Sequence, residues 1–444
     1  MHGERARGHP RAPGRRGEGW RPPPRSPSRI KGLRRIFGRG IIRGMNDTGK
    51  RWRGWRQGEF QAHFVHTGVA ESVFFVFPDS TTMLLDCGDH AAVMRVGKSV
   101  PVLPGPDRMA GEWIARYVRR VNPNGAEVDW AVVSHFHSDH VGTPFWQPAG
   151  NYGENPRPLQ PGRLRSGFGI AAESLRFRFA VDRGSPDYSE PRLFANTSIG
   201  TTRDFVRAVW DALVARDGLV LEKFRLGATD QFRPLRGDAP GFEVRNVCAN
   251  GRIAMPGGSV LDPYADLPFD DDLNPLNENA MSLGMTFRYG EFSLVSCGDF
   301  SDRFKTAEGK PVFAEDLLAG ALGPCSVAKV NHHGHHSMGA ELAAALRPKA
   351  YVACVWDQLH CTSDAMAPLL VPDAPDALQP AIFPTVLPDG DDSEPWRRRV
   401  PDACREGCHV VVAVPPGGET FTVTLLDARD EEMRVAAVFG FEWR

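Results

Sequence analysis

Four metal-ligand side chains fall within six residues of the segment Ser134-His135-Phe136-His137-Ser138-Asp139-His140-Val141-Gly142. Neutral imidazoles and a carboxylate are the donors that Zn²⁺ and similar borderline ions prefer. Alternation along an extended turn places His135, His137 and Asp139 on one side, and His140 adds a fourth donor as a helix begins. Six residues cannot wrap four ligands around one tetrahedral ion without severe strain, so the spacing suits two adjacent ions that share the set. Two divalent ions about 3.5–4 Å apart would form hydroxide from a bridging water near neutral pH, ready to attack phosphorus or a carbonyl carbon. The bland alternative is a solvated loop that happens to be rich in histidine. The flanks Val132-Val133 and Val141-Gly142 argue against it, because they read as the end of a buried strand.

Such a turn needs a strand behind it, and Asp129–Ser134 reads as one. Upstream, Gln61–Val65, Ser72–Phe77 and Thr82–Leu85 read as strands, the last ending at Asp86-Cys87-Gly88, while Trp113–Val121 has helical spacing. Strands alternating with a helix predict an α/β architecture. From Gly142 to about Asp272, Pro- and Gly-rich stretches surround one clear helix, Thr202–Arg216. Strands are expected there at Leu219–Phe224 and Phe242–Cys248. This section is expected to elaborate the fold and shape a cleft. Strand rhythm resumes at Ser282–Arg288, Phe292–Cys297, Val327–Val330 and Ala350–Val355, and residues 409–426 close with a hairpin around Pro415-Pro-Gly-Gly418.

His135-x-His137-x-Asp139-His140 resembles the signature of the metallo-β-lactamase superfamily, and other segments agree in order. Phe64–Gly88 is similar to the family's opening strands and their Asp-x-Gly. Phe292–Asp299 resembles the strand that delivers a bridging aspartate, and Val327–Gly334 the one that ends in a ligand histidine. Asn277-Glu-Asn-Ala-Met-Ser-Leu283, then Gly298-Asp299, then Lys329-Val-Asn-His332-His333-Gly334, is similar to the soluble hydrolase domain of ComEC-type competence proteins. The resemblance implies a four-layer αββα sandwich over 59–444, with 143–275 as an elaborated middle insertion. It also implies a pair of divalent ions, Zn²⁺ first and Mn²⁺ or Fe as alternatives. His135 and His137 would hold one ion, Asp139, His140 and His332 the other, with Asp299 bridging and Asp86 orienting a ligand imidazole. His333 is the alternative to His332. Asp139 or Asp299 would relay the proton, and Arg183, Lys329, His335, His336 and His360 are candidate substrate contacts.

Many superfamily hydrolases carry a further metal-binding histidine between these motifs, yet no histidine occurs here from Val141 to Asn331. That absence disfavours a β-lactamase, lactonase or glyoxalase, and it agrees with the ComEC-type resemblance, since those domains often lack the ligand too. Water is one replacement ligand; Asp182, ending the strand-like Phe177–Val181, and then Asn279 are the protein candidates. The alternative for Asp182 is an ordinary turn carboxylate. The activity implied is hydrolysis of a phosphodiester, in a nucleic acid or a small molecule. The competing readings are an ester, amide or lactone hydrolase and a non-catalytic metal-containing binding protein.

Composition narrows the rest. The 444 residues hold 53 Lys and Arg against 54 Asp and Glu, but the charge is unevenly spread. Residues 1–58 are Arg-, Gly- and Pro-rich with a net charge of +14, which leaves −15 on 59–444. That leader is expected to be disordered. It is either a nucleic-acid-binding arm or a stretch upstream of a true start at Met45. Arg34-Arg35-Ile36-Phe37 resembles a twin-arginine signal, but its apolar stretch stops before Arg43, so export is not expected. No segment approaches the ~20 apolar residues of a membrane helix, which excludes a channel or integral transporter. Eight scattered cysteines read as buried thiols of a cytoplasmic protein. Cys404-x3-Cys408-His409 lacks the second ligand pair of a metal knuckle.

Overall fold

The computed structural model describes residues 42–43, 47–89, 100–142, 166–190, 192, 197–265, 277–305 and 309–443. All of these belong to the compact unit Ile36–Arg444. Most of the leader, with Met45, lies outside the described residues, as do 143–165 and 266–276 of the middle section.

The strands Phe60–Phe64, Val73–Val76 and Thr82–Leu85 are buried at every position. Side chains on a strand alternate between faces, so full burial means that both faces are covered. Phe60, Ala62, Phe64, Val73, Phe75, Met83 and Leu85 share one apolar cluster, while their neighbours Phe74, Val76 and Leu84 belong to another. The first cluster lies between two sheets. There Phe75 of the first sheet stacks on Phe287 of the second with ring centroids 4.2 Å apart. The second cluster packs helices onto the outer faces: Ile114, Tyr117 and Val118 of Ala110–Val121, Phe205, Val209 and Trp210 of Thr197–Asp217, and Leu342 and Leu346 of Ala340–Leu346. The result is the helix–sheet–sheet–helix sandwich expected from the sequence.

Among the described residues the first sheet has ten strands and the second eight. In the first, an antiparallel run ends at Thr82–Leu85, which then pairs in parallel with Glu127–Val132, Arg176–Asp182 and Val220–Lys223 in turn. The second repeats the plan. Gly284–Tyr289 pairs antiparallel with Phe292–Ser296, after which Val327–Lys329, Ala350–Ala353 and Ala381–Pro384 follow in parallel. Parallel strands discharge their chains at one edge of a sheet. Asp86, Ser134, Asp299, Asn331 and Cys354 therefore all follow carboxyl ends of strands, and Asp182 is the last residue of one.

The middle section is more than an elaboration. Arg176–Asp182 and Val220–Lys223 extend the first sheet, and Phe242–Ala249 and Arg252–Ala254 belong to the second. The alternating Arg176-Phe177-Arg178-Phe179 is the local sign of this, with its first arginine exposed and Phe177 buried. No helix among the described residues is long and apolar enough to cross a membrane. All eight cysteines are buried and free, and Cys404 and Cys408 face each other with sulfurs 3.8 Å apart.

Candidate metal centre

Loops after three strands bring the ligand-type residues together. After Glu127–Val132 the chain turns through Ser134–His137 into the short helix Ser138–Val141. Gly88 makes this approach feasible, because a Cβ there would lie 1.6 Å from the Asp139 carbonyl oxygen. Asp86 sits just before it with φ 59°, a left-handed conformation that a non-glycine residue adopts only under local compulsion. From the second sheet, Gly298 and Asp299 follow Phe292–Ser296, and His332 and His333 follow Val327–Lys329 with φ of 46° and 55°. Left-handed backbone at three polar residues around one site is the pattern of a functional constraint.

Four buried atoms converge. His333 Nε2 lies 3.0 Å from Asp139 Oδ2 and 3.1 Å from Asp299 Oδ2. His140 Nε2 lies 3.1 Å from Asp299 Oδ2 and 3.3 Å from Asp139 Oδ2. Ligand atoms about 2.0 Å from a tetrahedral ion stand about 3.3 Å apart, so these spacings fit one divalent ion. The far nitrogens are committed elsewhere. His140 Nδ1 donates to Asp86 Oδ2 at 2.8 Å, and His333 Nδ1 donates to the Cys354 carbonyl at 2.9 Å. A proton fixed on Nδ1 leaves the Nε2 lone pair facing the cluster. Asp299 Oδ1 is buried and accepts no hydrogen bond, as expected of an atom shaped for a cation.

A second pair lies alongside. His135 Nε2 is 3.0 Å from His137 Nδ1, again a ligand–ligand spacing. Ser134 Oγ donates to Asp86 Oδ2 at 2.7 Å and can therefore accept from His135 Nδ1 at 3.0 Å, which turns the His135 Nε2 lone pair toward His137. Burial, with His140 and His137 beside it, holds the His135 imidazole well below its ordinary pKa, so it is neutral and able to ligate. Burial raises the Asp139 carboxyl, but His140 and His333 outweigh it and hold the group well below the usual range. Burial likewise opposes charge on His140, yet with no ion bound the carboxylates of Asp299, Asp139 and Asp86 raise its pKa well above the ordinary value, and a bound cation would take the place of that second proton.

His333, rather than His332, reaches the four-atom cluster. His332 turns instead to Asn279 Nδ2 at 3.2 Å and Ser301 Oγ at 3.3 Å, and burial lowers its pKa to about 4. Asn279 Oδ1 is buried and accepts no hydrogen bond. Asp182 is fully committed as a turn carboxylate: it accepts from the amides of Gly184 and Ser185, from Tyr188 and from the Trp210 indole. Arg183 is buried in an ion pair with Glu278 at 2.5 Å and lies over the Phe136 ring at 4.9 Å, so it braces the site and does not face substrate. Lys329 is buried as well, 3.0 Å from Glu71. His360 stacks on His333 with centroids 4.6 Å apart and accepts from the Trp356 amide. His335 is half-buried beside His332, and exposed His336 pairs with Asp364 at 3.0 Å.

Two acidic residues escaped the sequence reading. Glu71 offers a carboxylate within 4.8 Å of ligand atoms on His140, Asp299 and His333. Glu278 accepts the Phe136 amide at 2.8 Å, clamping the residue between His135 and His137. The signal for Glu71 is a charged residue inside the apolar run Val69–Phe77, since a buried charge needs a partner.

Comparison with known proteins bears on the same segment. Residues 66–143 match the model of the metallo-beta-lactamase superfamily, a stretch that includes Asp86, His135, His137, Asp139 and His140. No curated protein matches the chain. Among solved structures, that of unliganded yeast PDE1 is similar at 10% identity and a TM-score of 0.33, covering 77% of this chain and 91% of that one.

Proposed function

We propose that the protein is a binuclear metal-dependent hydrolase and that its substrate is a phosphodiester, in a nucleotide or nucleic acid. The observation that carries the metal reading is the cluster of Asp139, His140, Asp299 and His333, whose donor atoms stand 3.0–3.3 Å apart across two sheets. His135 and His137 would hold the second ion, with Asp299 shared and Asn279, whose buried Oδ1 accepts no hydrogen bond, a candidate to complete the set. Zn²⁺ suits this mixture of imidazoles and carboxylates. Bound divalent ions supply an acidified water and neutralise charge that develops on the substrate.

The chain's own groups do the rest. Asp86, Ser134 and the Cys354 carbonyl fix protons on the outer ring nitrogens and so aim the inner ones. Asp139 or Asp299 is proposed to relay the proton from the attacking water. The Glu278–Arg183 brace keeps the His135–His137 loop from relaxing. The phosphodiester preference rests on the likeness of Asn277–Leu283, Gly298-Asp299 and Lys329–Gly334 to ComEC-type domains. The +14 leader is proposed to recruit nucleic acid, and eight buried free thiols favour a cytoplasmic site of action.

Bis-p-nitrophenyl phosphate is expected to be hydrolysed, with the activity lost on chelation and in Asp299→Ala. Inactivity on phosphodiesters alongside robust hydrolysis of nitrocefin or a lactone would move the protein to the small-molecule class. Tightly held metal with no turnover of any substrate would favour a binding protein.

A further inference from the structure

Glu71 and Lys329 face each other behind the proposed metal centre, both with side chains fully shut off from solvent. An isolated buried charge is prohibitively costly, so the pair persists only because the partners answer each other. Lys329 Nζ also donates to the carbonyls of Gly298 at 2.9 Å and Val330 at 3.3 Å, and stands 3.8 Å from Asp299 Oδ1. It therefore grips Asp299 from two sides, at the preceding carbonyl and at the carboxylate. Glu71 grips the other half. Its Oε2 lies 3.2 Å from His333 Nδ1, its amide donates to the Asp139 carbonyl at 3.0 Å, and its own carbonyl accepts from Gly88.

The side of the ring matters. Glu71 meets His333 at Nδ1, whereas Asp139 and Asp299 meet Nε2, on the far side of the imidazole. Glu71 is within reach of the cluster, yet its carboxylate already has a cation in Lys329. The charges also balance with the pair in place. Asp86, Asp139, Asp299 and Glu71 carry four negative charges, and Lys329 and two divalent ions carry five positive ones, leaving room for one hydroxide.

We propose that Glu71 and Lys329 form a positioning pair that holds Asp299 and His333 in register across the two sheets, and that Glu71 is not itself a metal ligand. This rests on the metal-centre reading above. The pair explains why a lysine precedes the histidines in Lys329-Val-Asn-His332-His333 without facing substrate.

The test is a double-mutant cycle on Zn²⁺ affinity, read by competition with a chromophoric chelator, with ion stoichiometry from elemental analysis and the visible spectrum of the Co²⁺-loaded protein. Glu71→Gln and Lys329→Met are each expected to weaken affinity about 10–100-fold, as loss of outer partners typically does, with stoichiometry unchanged and the Co²⁺ spectrum altered. The double variant is expected to be no worse than the weaker single. If Lys329→Met does not fold, the near-isosteric Glu71→Gln still decides the matter. A drop in stoichiometry for Glu71→Gln would make Glu71 a ligand and overturn the proposal. So would multiplying effects in the double variant, or unchanged affinity and spectrum in either single. Wild-type protein that binds no metal would instead defeat the parent reading, and the proposal with it.

Discussion

The Nε2 atom of His333 stands 3.0 Å from the Asp139 carboxylate, across 194 residues of chain. A strand end in each sheet has delivered one member of the pair, and His140 and Asp299 close the same cluster. His333→Ala should therefore cost far more Zn²⁺ affinity than His332→Ala. Chelator competition on the two purified variants checks this, and the reverse order would show that the ring at 332 swings inward on loading.

Asp86 reaches the cluster only through His140 and Ser134. Asp86→Asn removes the charge behind the His140 Nδ1 proton but no donor atom of the cluster. Metal affinity should fall about 10–100-fold with stoichiometry intact. Elemental analysis showing one ion fewer would mean that Asp86 is a ligand.

The Arg183–Glu278 ion pair has side chains 0% and 2% exposed. Breaking a buried pair from one side leaves a stranded charge, which costs about 3–5 kcal/mol. Arg183→Met should lower the free energy of unfolding in urea by that order, measured on metal-free protein so that the loss is not ascribed to the ions. A change under ~1 kcal/mol would mean that water reaches the pair and screens it.

His63, His66 and His409 are buried away from the cluster, and burial lowers their pKa values to about 3, 4 and 3 from 6.5. Below pH 6.5 the unfolded chain takes up protons that the folded chain refuses, so stability falls as pH drops from about 6.5 toward 4. Each histidine contributes a slope of about 1.4 kcal/mol per pH unit in that window. Urea titrations at several pH values should show a shallower slope in His63→Gln by roughly that amount. An unchanged slope would mean that His63 is already charged when folded.

The contrast between what could and could not be read from the chain has a physical basis. The His135–His140 motif was legible because its chemistry is compressed into six residues after an apolar strand. The flanking strands were legible because Val73–Phe77 and Met83–Leu85 are unbroken apolar runs, as a layer covered on both faces favours. The choice between His332 and His333 was not, because strand alternation ends at Val330 and both histidines adopt left-handed backbone that no spacing rule foretells. Asp182 looked like a ligand by position at a strand end, and only the tertiary structure shows its oxygens bound by four donors. Glu71 carries no motif of its own, and the motif around Glu278 does not tell what its carboxylate holds. Their roles exist only once 142 residues fold Glu278 back onto Phe136 and the second sheet sets Lys329 against Glu71.

The most direct measurement is an anomalous difference map at the zinc edge from a crystal of the Zn²⁺-loaded protein. The account predicts a strong peak enclosed by Asp139, His140, Asp299 and His333, with a second beside His135 and His137. A well-ordered map with no peak among those four side chains would contradict it.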